Sequence, residues 1–98
     1  MNTKSLWPIE KHLKSYLALV EYWDAGAGDT HELLGSREIL HDRHAELSAT
    51  AIQRMNAADD RVLSLTNGNS GTDGWDLKML NETAVLIERE RSNARLAA

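Results

Sequence analysis

Cysteine is absent from the sequence. That removes disulfide frameworks, thiolate nucleophiles and zinc–thiolate sites, and it fits a cytoplasmic, reducing location. Proline occurs once, at position 8. No apolar run approaches the roughly 18 residues that a membrane-crossing helix needs, so no membrane association is expected. The opening stretch MNTKSLWPIEKHL has no apolar core segment and does not read as a secretory signal. Lysine and arginine are missing from Ser15 to Ser36, where Glu21, Asp24, Asp29 and Glu32 all fall. The whole chain carries 15 acids against 11 bases, a formal charge of −4. This argues against direct nucleic-acid binding, whose affinity comes largely from basic side chains on phosphates.

At 98 residues the chain is expected to form a single helical domain over 1–98, with 1–5 and 93–98 as frayed ends. The stretch Ser36 to Thr66 contains no Gly, no Pro and no turn dipeptide. It predicts one long helix, about 44 Å at 1.5 Å per residue, with Ser36 as its N-cap. Asn56 to Asp60 is its weakest part, because Asn and Asp are poor interior helix formers. The small side chains of Ser48, Ala51 and Ala58 suit close helix contacts.

Before it, Ile9, Leu13, Tyr16, Leu17, Val20 and Trp23 recur at helical spacing, with Pro8 at the first helical position. Gly26 and Gly28 end that helix. Asp29 with Glu32 resembles a capping box and predicts a short helical turn at 30–34, which Gly35 breaks or kinks. Asn67 to Gly74 reads as a loop, and Asp73 caps a last helix whose Leu77, Leu80, Ala84 and Ile87 form a buried row. The fold class predicted is all-α: a small antiparallel bundle of three main helices, about 8–25, 36–66 and 73–92, with a short helix at 30–34 between the first two.

Catalytic signatures are missing. There is no Gly-x-Ser-x-Gly, no Walker A sequence and no dinucleotide-binding glycine pattern. Glu38-x-x-His41 has the form of the unit used in di-iron carboxylate bundles, but no second unit accompanies it. His41 and His44 therefore read as partly exposed side chains on a polar face, and His12 and His31 as isolated surface residues. No catalytic residue, cofactor or metal is expected. Arg89, Arg91 and Arg95 form the one basic cluster, offset by Glu88 and Glu90 in what reads as a solvated end.

Trp7, Trp23 and Trp75 all fall at predicted helix termini. Either they plug the ends of a bundle with a small-residue middle, or one is an exposed binding anchor. Trp23 lies among Glu21, Tyr22 and Asp24, an aromatic pair rimmed by acids. The candidate partner-binding patch is Glu21, Tyr22, Trp23, Asp24, Asp29 and Glu32, extended by Glu38 and Asp42.

In size, acidity, helicity and lack of cysteine the chain resembles small proteins of phages and mobile elements, and is similar in kind to the anti-CRISPR inhibitors. The resemblance implies a non-catalytic protein that binds stoichiometrically to a basic surface of a CRISPR effector complex, where target DNA would otherwise sit. The alternative is a homodimeric structural or transcription-regulating protein, paired along the overhang of the central helix.

Overall fold

The structure is a computed structural model. It describes residues 7–23, 30–68 and 74–97, without the side chains at 67, 68, 74–77, 96 and 97. Those residues are helical almost throughout and contain no strand. They form four α-helices where the sequence predicted three: α1 (Ile9–Glu21), α2 (Thr30–Asp42), α3 (Ala49–Gly68) and α4 (Gly74–Ala97). The principal contacts run α1 on α2, α2 on α4, α4 on α3 and α3 back on α1. The core between them is built from residues of all four, among them Leu13, Leu33, Met55 and Leu80.

The predicted continuous helix over 36–66 is overturned. Its first seven residues belong to α2, which ends at Asp42. A single 3-10 turn, His44–Glu46, and an extended Leu47 (φ −82°, ψ 134°) make a corner. Two forces favour the corner. A 44 Å rod would exceed the longest dimension of the molecule, 36 Å, and its far end would have no core to cover. Local groups also hold it. Arg43 forms a two-bond ion pair with Glu46 at 2.6 and 2.7 Å and donates to the Trp7 carbonyl at 2.7 Å. Ser48 then starts α3 as its N-cap, its Oγ accepting from the Ala51 N–H at 3.1 Å. Ser48 thus acts as a cap and not as a small contact residue.

Gly35 and Ser36, expected as a break and an N-cap, lie inside α2. An interior glycine costs about 1 kcal/mol relative to alanine. Burying Leu33 and Leu40 on either side is worth roughly 1.5–3 kcal/mol each, so the helix continues and the turn at 30–34 becomes its beginning. The weak stretch 56–60 does not break either: α3 runs through it with Met55, Ala58, Asp59 and Val62 buried on one side. The helix also continues over Asn67 and Gly68, read from sequence as loop.

Helix α1 is shorter than the predicted 8–25. Pro8 precedes it in an extended conformation, and its carbonyl accepts from Lys11 at 3.0 Å. At the other end the Tyr22 N–H reaches Ala18 O at 3.0 Å, and the Trp23 N–H bonds Val20 O at 3.4 Å. Arg61 donates to that same carbonyl at 3.4 Å, satisfying a helix-end acceptor from α3. The last helix extends past the predicted end at 92 to Ala97. The expected caps Asp29 and Asp73 lie outside the described residues, as do Gly26 and Gly28.

Candidate functional site

The interior holds a polar chain to which every helix contributes one member. Arg37 of α2 is fully buried, and so is Asp59 of α3. The guanidinium meets the carboxylate in a fork, Nε to Oδ1 at 3.0 Å and Nη2 to Oδ2 at 3.1 Å. The Tyr16 hydroxyl of α1 donates to Asp59 Oδ1 at 2.6 Å. Arg37 Nη2 also donates to Glu90 Oε1 of α4 at 2.7 Å. Arg37 Nη1 has no hydrogen-bond partner among the described residues.

At its outer end the chain reaches histidines. Glu90 Oε2 bonds His41 Nδ1 at 2.7 Å, and His44 Nε2 lies 3.8 Å from Oε1. The environment moves the ionisable groups in consistent directions. Burial pushes the Tyr16 phenol well above its ordinary value, and the charge and hydrogen bond of Asp59 push it further. Burial alone would lower Arg37, but hydrogen bonds to Glu90 and Asp59 outweigh it and hold the guanidinium charged. Burial would likewise raise Glu90, yet the bonds from Arg37 and His41 keep its carboxyl below the usual range. Tyr16, Arg37 and Asp59 are closed to solvent, and the chain links all four helices through the core.

These partners correct several sequence expectations. Glu90 does not offset the arginines of a solvated end; it turns inward. Arg91 is engaged as well, donating to Asp60 Oδ1 at 2.8 Å and to the Asn56 carbonyl at 3.2 Å. His41, expected to be partly exposed, is 41% exposed and also bonds Glu90 of α4. His12, expected at the surface, is buried and stacked on Trp7 with ring centroids 5.3 Å apart. The Lys11 ammonium stands 4.2 Å from the Trp7 ring centre on this stack. Among the described residues no group of three or more His, Cys, Asp or Glu side chains is placed to hold a metal. No helix among them is long and apolar enough to cross a membrane.

The candidate binding residues separate into two groups. Glu21 closes α1 and is exposed, and Tyr22 beside it is 75% exposed. Trp23 is half-buried, and its indole N–H donates to Thr30 Oγ1 at 3.1 Å, tying the end of α1 to the start of α2. Glu32 is exposed in the first turn of α2, about 200° round the helix axis from Thr30. Asp24 and Asp29 belong to the same corner in sequence but lie outside the described residues. Glu38 and Asp42, one turn apart and exposed, share a different face of α2. Six residues at 100° each carry Glu38 roughly 240° round the axis from Glu32. The expected anchor role among the tryptophans is divided: Trp7 is 44% exposed, Trp23 is used internally, and the Trp75 side chain is outside the description.

Beside Glu38 runs an open groove between α2 and α4, about 700 Å³ in volume. Its walls are Leu34, Glu38, Lys78, Asn81, Glu82, Val85, Leu86 and Arg89. Sequence reading missed both this groove and the buried chain. The signal for the chain was present: Arg37 lies between Leu33 and Leu40 on one stripe, and Asp59 between Met55 and Val62 on another. A base and an acid each set within an apolar row mark a buried pair. No family model, no curated protein and no solved structure matches the chain.

Proposed function

We propose that the chain is a non-catalytic binding protein, a helical bundle that covers a basic, nucleic-acid-binding surface of a larger complex. A CRISPR effector is the case its resemblance points to. One observation carries this reading. Glu21, Glu32, Glu38 and Asp42 are exposed and form no ion pair among the described residues, while Arg37, Arg43 and Arg91 are held by carboxylates of the chain itself. The surface presented by α2 and the end of α1 is therefore more negative than composition alone suggests, and electrostatic complementarity speeds encounter with a basic partner. Tyr22, 75% exposed at the end of α1, supplies an aromatic contact.

The test uses a purified effector complex and its target duplex. The wild-type chain should displace the duplex, and displacement should weaken as salt rises. Glu21→Lys with Glu32→Lys, and separately Tyr22→Ala, should each weaken displacement at least tenfold while helicity by circular dichroism is unchanged. Displacement unaffected by all three substitutions removes the acidic corner as the contact surface.

A further inference from the structure

The face of α4 beside the α2–α4 groove carries Lys78 and Glu82 before an apolar pair and Arg89 after it. Lys78, Asn81, Glu82, Val85, Leu86 and Arg89 line the α2–α4 groove. Their spacing of i, i+3, i+4, i+7, i+8 and i+11 places them on one face of the helix. The core row Leu80, Thr83 and Ile87 lies on another side. Val85 is one of three large hydrophobic side chains exposed among the described residues, at 45%. A lone exposed valine means little. This one stands beside half-buried Leu86, with Leu34 of α2 across the groove. Glu82 precedes the apolar pair by one turn, and Arg89 follows it by one turn.

We propose that this face is a homodimer interface, in which α4 of one chain packs antiparallel on α4 of a second copy. A two-fold interface brings the same patch against itself, with residue i opposite j and j opposite i. With the axis between positions 85 and 86, each Val85 meets the partner copy's Leu86. The same operation puts each Glu82 opposite the partner copy's Arg89, and each Lys78 opposite the neutral Asn93, so the acid nearest the apolar pair meets a base and no like charges face each other. A parallel pairing would set Glu82 on Glu82 and Arg89 on Arg89. The charge pattern thus selects the antiparallel register, and the apolar middle supplies the attraction. Rim ion pairs contribute little individually, so the dimer forms in the micromolar range or weaker. Glu21, Tyr22 and Glu32 do not line this groove, whereas Glu38 does; the substitutions at 82, 85 and 89 that test the dimer leave all the proposed docking acids in place.

Sedimentation equilibrium on the intact chain, from low micromolar to millimolar concentration, tests it. The mass should rise from the 10.9 kDa of the monomer towards twice that value. Glu82→Arg alone and Arg89→Glu alone should each raise the dissociation constant at least tenfold, and the double substitution should restore it. Both residues are exposed, and circular dichroism should report unchanged helicity. The absence of native cysteine permits a second readout. Val85→Cys should form a disulfide-linked dimer on mild oxidation, and Arg54→Cys, exposed on α3, should not. A monomer at millimolar concentration overturns the proposal. So do a double variant no better than the singles, and equal cross-linking at positions 85 and 54.

Discussion

Arg37 and Asp59 stand 22 residues apart in sequence and meet as a two-bond pair in the middle of the core, at 3.0 and 3.1 Å. Neither reaches solvent, so removing one partner leaves the other charged and buried. Asp59→Ala should lower the free energy of unfolding by about 3–5 kcal/mol, read from urea denaturation. Replacing both together, Arg37→Met with Asp59→Leu, should cost less than Asp59→Ala alone, because the charge then left, Glu90, keeps His41 and reaches solvent, while the Tyr16 hydroxyl loses its acceptor in both variants.

Glu90 makes the fold sensitive to acid. Its carboxyl titrates below the ordinary range in the folded chain, so its contribution is present above the unfolded value, near 4.3. That contribution is lost as pH falls through the folded value. Denaturation midpoints should therefore drop more steeply between roughly pH 5 and pH 3 in the wild type than in Glu90→Gln. Equal slopes would show that the Arg37 and His41 bonds to Glu90 do not favour its charged form in solution.

Tyr16 acts at the other end of the scale. Burial first, and Asp59 after it, raise its phenol above the ordinary value. Its stabilising contribution is complete below about pH 10 and is lost above it, as the unfolded chain ionises and the folded one does not. Tyr16→Phe should shrink that alkaline loss. It should also cost about 1.5–3 kcal/mol at neutral pH, the usual range for a hydrogen bond to a charged group. Urea titrations at neutral and alkaline pH measure both effects.

Ser48 is the cap of α3. Ser48→Ala should destabilise the fold by about 1 kcal/mol, and Ser48→Gly by a few tenths, seen as shifts in thermal midpoint. A null result for Ser48→Ala would mean that the corner at 43–48 is held by Arg43 and its partners alone.

The all-helical class was legible in the sequence because the apolar stripes of α1 and α4 repeat at helical spacing and turn residues fall between them. The corner at 43–48 was not. Neither Gly nor Pro marks it, and the forces that fold it back are tertiary: the size of the core and the reach of Arg43 to Trp7. The reverse error occurred at Gly35, where a local breaker is overridden by Leu33 and Leu40. At Asp59 the same residue that looked like a helix weakness proved to be a fixed point of the core, because its partner lies on another helix and propensity sees only neighbours. Of the candidate contact residues, Glu21, Tyr22, Glu32, Glu38 and Asp42 are exposed, as their polarity led one to expect, while Trp23 is tied to Thr30. The groove on α4 escaped notice because its apolar residues are few and its meaning lies in the order of its charges.

Because α1, α2, α3 and α4 each supply a link of a shared polar chain, no helix can detach without stranding a charge or a hydroxyl on those that stay. Partial opening is thereby penalised more than packing area alone would suggest. Backbone amides near Tyr16, Arg37, Asp59 and Glu90 should exchange with deuterium at one common rate, the molecule yielding all together like an arch that has lost its keystone.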